Sequence, residues 1–554
     1  MERKVRHWME QDLAFGSTRQ LLVRLLLVLV PACVSACVFP SRNVILDYAW
    51  PVKTPPLQQE TGKKPPSRTI PPTGPSRAAE HRESLLAVTL PDAILTGLSS
   101  NREFQIQRLQ PPIVGTVEEE QKAAFDPVVR AEVQRLRERS DPQTVSQDFT
   151  ASTGVSQFLP IGMKLDLELG TEWTKDIPPG DDPNGVWNSF SRVSLTQALL
   201  QGRGIQYNLA NLRQARLDVE ISRYELDGLG QALTFEIENK YWDYFLALGQ
   251  VDIYTRSLAL ARRLVRETRE RINLGQKARS EIYFVQAEAS TREQALIDAK
   301  SFQEKTRLRL LRLVNPAASD LWNKPVRLLT RPIVPRDSLE DLANHIQLAL
   351  TMRPDLNQAR LAVERGELEI VKTRNGLLPK LDLFMMLGRT GYARAFSRSI
   401  DDYWGGEGGL DFLARVQFEF PLLNRKAKAQ YNKSVLQLAQ EREAVENLIQ
   451  LAEQDVLLAY AENQRARDQM RVSSSTVRFQ REKRDAEIEK YRLGTSSAYR
   501  VAQAERDTVN SEIAALQARI DCLKSLTQFY LAEGSLLARR GVTLIPGGTP
   551  PPKM

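Results

Sequence analysis

The chain contains one unit written twice. Leu159-Pro160 leads into the alternating run Lys164-Leu165-Asp166-Leu167-Glu168-Leu169, and Leu378-Pro379 leads into Lys380-Leu381-Asp382-Leu383. A second alternating run ends in paired leucines in both places, Arg192 to Leu200 and Arg415 to Leu423. Each is followed by a long stretch without proline, broken once by glycine at Asn273-Leu274-Gly275 and at Tyr491-Arg492-Leu493-Gly494. Beyond the breaks stand Gln286-Ala287-Glu288 and Gln503-Ala504-Glu505. Both halves open on a short amphipathic segment, Leu90 to Ile94 and Leu339 to Ala343. Several markers in one order restrict the chain to a repeat architecture, in which length is no guide to the number of globular domains.

The proline-free stretches, about 70 residues each, would reach on the order of 100 Å as helix. Ile237, Tyr241, Phe245, Leu248, Val251, Tyr254, Leu258, Ala261 and Val265 make a narrow apolar stripe in the first, and Val445, Ile449, Ala452, Val456 and Ala459 do so in the second. Such stripes predict coiled-coil packing, and the many alanines permit close helix approach. A soluble coiled coil has no use for the runs Met163 to Trp173, Phe190 to Leu200, Leu381 to Tyr392 and Leu410 to Leu422. Their length, about 10 residues, is that of a membrane-spanning β-strand with one face toward lipid. Asp176 to Gly185 and Asp401 to Gly409 would be the outer turns, with Trp173, Trp187, Tyr392 and Trp404 at an interfacial belt. Two strands per half cannot close a barrel, and open edges are not tolerated in lipid, so several copies must share the wall. The first half also holds a longer stretch, Phe125 to Val129 and Phe149 to Gln157, which would be an added hairpin, a plug or a periplasmic excursion.

Residues 1–36 read as a secretory signal, with Arg3, Lys4, Arg6, Arg19 and Arg24 ahead of and within the apolar run Leu21 to Val30. The run is too short for a permanent membrane helix. It ends in Val34-Ser35-Ala36-Cys37, which resembles a bacterial lipobox with Cys37 as the lipidated residue. Prolines at 51, 55, 56, 65, 66, 71, 72 and 75 then predict an extended tether. The formal charge of +8 raises nucleic acid as a partner, but both signs are interleaved as on a solvated helix face, no nucleic-acid motif is present, and an export signal argues against it. Three dispersed histidines, His7, His81 and His345, offer no triad or zinc cluster. No phosphate loop or dinucleotide fingerprint appears. The expectation is a protein that is not an enzyme and carries no cofactor or metal.

With these features the sequence resembles the TolC-like outer-membrane efflux proteins over about residues 85–537. The echoes are Ala124-Phe125-Asp126-Pro127, Ser194-Leu195-Thr196-Gln197-Ala198-Leu199-Leu200, Lys240-Tyr241-Trp242-Asp243, and Arg353-Pro354-Asp355-Leu356 with Leu378-Pro379. The resemblance implies a mainly α fold with membrane β, a duplicated unit of strands and long helical hairpin. It implies a homotrimer sharing one outer-membrane β-barrel, continued by a periplasmic α-helical barrel. It also implies an export channel that takes substrates passively from an inner-membrane pump and a periplasmic adaptor, lipid-anchored and inserted in the outer membrane. Carried onto this chain, Leu274, Gly275, Gln276 and Arg279 with Leu493, Gly494, Thr495 and Ser496 become the hairpin tips that touch the adaptor. The alternative is a periplasmic coiled-coil adaptor or scaffold without a pore. The expected division is signal 1–36; lipidated tether 37–84; first repeat 85–316, with strands within about 125–200 and helical hairpin about 201–314; linker 317–337; second repeat 338–537, with strands about 381–422 and hairpin about 425–534; and flexible tail 538–554.

Overall fold

A computed structural model describes residues 86–141, 144–177, 185–314, 322–335, 341–405 and 408–544. The expected signal, Cys37 and the tether lie outside the described residues. The first repeat runs β1 (Leu86–Val88), α1 (Leu90–Ser100), α2 (Arg102–Gln107), α3 (Gln110–Ala123), β2 (Val128–Asp141), β3 (Thr144–Leu159), β4 (Met163–Ile177), β5 (Val186–Ala198), α4 (Ile205–Asn208), α5 (Ala210–Asn273) and α6 (Glu281–Val314). Next come β6 (Val326–Leu328), α7 (Leu342–Met352), α8 (Pro354–Asn375), β7 (Lys380–Ala393), α9 (Phe396–Gly405), β8 (Gly409–Glu419), α10 (Arg425–Arg492), α11 (Ala498–Ala532) and α12 (Leu536–Arg539).

Local chemistry sets many of these boundaries. Thr89 caps α1, its Oγ1 accepting from the Asp92 N–H at 3.2 Å, and Asp341 caps α7 by accepting from the Asn344 N–H at 3.3 Å. The second short helix therefore starts at Leu342, later than the expected Leu339. β8 stops at Glu419, short of the expected Leu422, because Pro421 cannot donate to a ladder. The region expected as a plain linker contains β6, which pairs in parallel with β1 through Leu86↔Val326, Ala87↔Arg327 and Val88↔Leu328.

The first and second repeats keep two different offsets. Leu90 and Leu342 open equivalent helices 252 residues apart, while Asn273 and Arg492 close equivalent helices 219 apart. The offset falls between the end of α3, where Ala123 and Asn375 are 252 apart, and the start of β4, where Met163 and Lys380 are 217 apart, a drop close to the 32 residues of the hairpin β2–β3 (Val128 to Leu159). That settles the three readings of the long first stretch: it is a hairpin, hydrogen-bonded into the main sheet. The sheet order is β2-β3-β4-β5-β7-β8, antiparallel at every step.

At the far side of the chain from the strands, α5 with α6 and α10 with α11 form two helical hairpins. Ala299, Ala452, Ala459 and Ala466 are buried, and their small side chains let the backbones approach. A core joins the two repeats where α5 meets α1 and the small sheet. Tyr241 donates to the Val88 carbonyl at 3.3 Å and accepts from the Thr330 N–H at 3.1 Å. Tyr244 donates to the Val326 carbonyl at 3.0 Å, so the Lys240-Tyr241-Trp242-Asp243 motif serves to hold β1 and β6 on α5. The fold also shortens the expected flexible tail. Arg540 binds Glu238, a carboxylate with no exposed surface, at 2.5 and 2.7 Å, and Arg539 binds the equally buried Glu533 at 3.0 Å. Residues 538–544 are thus docked.

Candidate functional site, a two-faced sheet and paired hairpin tips

Strand alternation sends neighbouring side chains to opposite faces, so the register divides the six-stranded sheet row by row. One row on the first face runs Val129↔Val155↔Leu167↔Val193↔Leu387↔Phe412. The next on that face runs Gln157↔Leu165↔Leu195↔Met385↔Ala414. Beyond it, Leu383 pairs Val416 and Leu381 pairs Phe418. On the other face a row runs Arg130↔Gly154↔Glu168↔Arg192↔Gly388↔Asp411, and another holds Ser156↔Asp166↔Ser194. One face is apolar and the other polar. Yet the apolar face is bare: Val155, Leu165, Leu167, Val193, Leu387, Leu410, Phe412, Val416 and Phe418 are all exposed. A contiguous patch of this kind marks a surface that meets lipid or protein.

The first face ends in an aromatic row, Phe149↔Trp173↔Trp187, with ring centroids of Phe149 and Trp187 6.2 Å apart and of Trp173 and Trp187 6.3 Å apart. This is where an interfacial girdle would sit. Between that row and the apolar band the face turns small and polar, with Ser189, Ser191 and Gly391. The stretch expected as an outer turn from Asp401 is instead occupied by α9, which covers this spot. Ser399 Oγ lies 2.8 Å from Ser189 Oγ, Tyr403 donates to Ser191 Oγ at 2.7 Å, and Phe396 meets Trp187 at 5.2 Å. Glycine at 391 is required, since a Cβ there would stand 2.4 Å from the Ser399 carbonyl.

The outer strands have no neighbour. β2 and β8 are the sheet edges and are exposed along their described side chains. A free edge offers a row of unpaired N–H and C=O groups, and none could remain so in hydrocarbon.

At the other end of α5 and α10 lie the two glycine breaks. Gly275 has φ +69° and Gly494 φ +75°. In the first, the Gly275 N–H bonds the Ile272 carbonyl at 3.0 Å and the Gln276 N–H bonds that of Arg271 at 2.8 Å. In the second, Gly494 bonds Tyr491 at 3.1 Å and Thr495 bonds Lys490 at 2.9 Å. Both are Schellman turns, which favour glycine at the left-handed position. The structure brings the tips together. Thr268 Oγ1 lies 3.2 Å from the Tyr491 hydroxyl, Arg271 donates to the Tyr491 carbonyl at 3.0 Å, and the Phe284 and Tyr499 rings meet at a tilt with centroids 5.3 Å apart. Leu274 and Leu493, 72% and 78% exposed, precede the glycines as twin apolar knobs. Gln276, Arg279 and Thr495 are exposed as well. Ser496 is turned inward, donating to Glu487 at 2.8 Å; Lys490 and this hydroxyl hold the Glu487 carboxyl below the usual range.

Between the hairpins near the tips is a charged cluster built on Glu288 and Glu505, the two glutamates that the sequence shows as matched repeat markers. Glu288 accepts from Arg292 at 2.5 Å and from Arg506 at 2.9 Å. Burial pushes the nearby Glu505 carboxyl up against the pull of Arg484 and Arg292. Cys522 is a buried free thiol, and burial raises its pKa. Among the described residues no cluster of possible metal ligands occurs, and no helix is long and apolar enough to cross a membrane.

Residues 345–535 match the family described as outer membrane efflux protein. No curated protein sequence matches significantly. Among solved structures, the CmeC outer membrane channel of Campylobacter jejuni is 13% identical, with a TM-score of 0.60 over 85% of this chain and 94% of that one. The open-state MtrE outer membrane channel of Neisseria gonorrhoeae is 18% identical, with a TM-score of 0.59 over 81% and 89%. The outer membrane protein VceC of Vibrio cholerae is 12% identical, with a TM-score of 0.60 over 80% and 96%. The second repeat thus matches the outer membrane efflux protein family, and the chain shares its fold with outer membrane channels over four fifths or more of its length.

Proposed function

We propose that this chain is one protomer of a trimeric outer-membrane duct that conducts efflux or secretion substrates passively. The observation that carries this is the sheet, with a bare apolar face, a polar face and two unpaired edges. Such a sheet is stable in lipid only when copies close it into a ring with the polar face inward. The helices continue the duct into the periplasm. The sequence shows no phosphate-binding loop, and the resemblance assigns the driving energy to an inner-membrane pump. Purified in detergent, the protein is expected to run as a heat-modifiable trimer and to give ion-conducting steps in planar bilayers. A water-soluble monomer with no conductance overturns this reading.

The paired tips are the docking point for a periplasmic adaptor, through Leu274, Gly275, Gln276, Arg279, Leu493, Gly494 and Thr495, with Ser496 supporting the turn from within. Space is no obstacle at either glycine, since a Cβ would meet nothing within 4 Å; the backbone is, because a β-branched residue at positive φ is strained. Gly275→Val and Gly494→Val are each expected to distort one tip and to weaken adaptor crosslinking severalfold while the trimer persists. Unchanged crosslinking in both variants would count against docking at the tips. Cys37 is the proposed lipid attachment. Cys37→Ser is expected to lose metabolic palmitate labelling and to retain trimers, because barrel insertion is a separate anchor; labelling that persists places the lipid elsewhere.

A further inference from the structure

We propose that the hairpin β2–β3 is an inserted seam module: β2 of one copy pairs with β8 of the next, and three copies close an 18-stranded wall, six strands from each. This rests on the trimeric-channel reading and goes beyond it, because the resemblance implies two strands per half and hence 12 in the ring.

Four observations support the placement. First, the repeat offset drops from 252 to 217 between the end of α3 and the start of β4, so the hairpin is an addition to one half of a duplicated unit. Second, the addition is at the sheet margin. Val128 follows the end of α3 at Ala123 by the same five residues that separate Asn375 from Lys380, so β2 leaves its helix as β7 does, but occupies the edge. Third, six antiparallel strands place β2 and β8 in opposite directions, so neighbouring copies meet in an antiparallel seam and the ladder continues unbroken around the ring. Fourth, below the aromatic row the inserted strands continue both faces, while Arg135 stands in that row and Arg137 beyond it. Val129 and Val155 lengthen the row that ends in Phe412, while Arg130, Glu132, Gln134, Asp148 and Thr150 add to the polar face. A hairpin folded elsewhere as a plug would gain nothing from continuing an apolar row in register.

Barrel diameter grows roughly linearly with strand number, so this wall is about half as wide again as a 12-stranded one. Its added lining carries both signs of charge and hydroxyl groups, which suits a bulky, hydrated solute over a small lipophilic one.

The test uses the full-length protein with Cys522→Ser. Glu132→Cys on β2 is combined in turn with Asp411→Cys, Leu413→Cys, Arg415→Cys or Gln417→Cys on β8, all on the polar face. Oxidation is expected to give covalently linked trimers at one register. As the rival pairing, Glu168→Cys on β4 is combined with the same β8 series. Trimers linked through β4, or links within a single chain, overturn the seam. Deletion of residues 127–159 should leave a conducting trimer whose conductance falls to about 0.4 of the parent, as the square of the strand-number ratio; an unchanged conductance overturns the wider wall. A monomer in detergent would sink the channel reading and this one together, whereas a trimer linked through β4 sinks this one alone.

Discussion

Leu387→Arg is expected to abolish outer-membrane assembly. Leu387 sits in the apolar row with Val193 and Phe412, three rows in from the aromatic row of Trp173 and Trp187. Six residues of strand, Leu167 to Trp173, rise about 20 Å along the strand. At a tilt near 40° that is roughly 15 Å of depth, half a bilayer core of about 30 Å. A lipid-facing arginine at mid-depth costs about 2–4 kcal/mol. Three copies multiply this to about 6–12 kcal/mol per ring, which matches or exceeds the whole stability of many domains. Met386→Arg provides the control, since Met386 lies in the row with Ser194 on the polar face. Heat-modifiable trimer in the outer-membrane fraction should vanish for the first variant and persist for the second. Equal trimer yields would mean that the first face does not meet lipid.

Arg540→Ala is expected to destabilise the helical body more than any other single change to an exposed charge. Glu238 has no exposed surface, and it receives two hydrogen bonds from Arg540 and one from Thr527 at 2.9 Å. Removing one partner of a buried pair costs about 3–5 kcal/mol, because the other charge stays behind in a poor solvent. Arg540 is itself 31% exposed, so water entering the vacated space should bring the loss to the lower end, about 3 kcal/mol. Adding Glu238→Gln should restore part of it, since the stranded charge is gone. Thermal unfolding of the three proteins in one detergent measures this; a double variant no more stable than Arg540→Ala would show that the pair matters for packing alone.

The repeated unit could be read from the sequence because its signals are local. A leucine-proline step, an alternating run and a glycine break are each visible within a few residues. The tips were readable for the same reason: Leu274-Gly275 and Leu493-Gly494 are helix-ending signals that need no tertiary context. The hairpin β2–β3 was harder. Arg135 and Arg137 fall on the otherwise apolar face and Leu136 on the polar one, so period-two alternation is blurred where the sheet is at its margin. The helix α9 was hidden because its reason for forming lies in Ser189, Ser191 and Gly391, two of them some 200 residues earlier. Glu238 and Arg540 are 302 residues apart, and nothing near either residue in the sequence marks it as a partner. Spacing reports what neighbours do to each other; buried ion pairs are decided by the fold.

The added hairpin also changes the symmetry that a ring can have. Two near-equal helical halves per chain give three copies six similar spokes, close to a sixfold arrangement at the tips. Above them the chain contributes four strands from one half and two from the other, so the mouth can be no more than threefold. In the proposed trimer, an adaptor would meet a nearly regular hexagon below, while an exported solute would pass a wall whose thirds each carry one charged, widened sector.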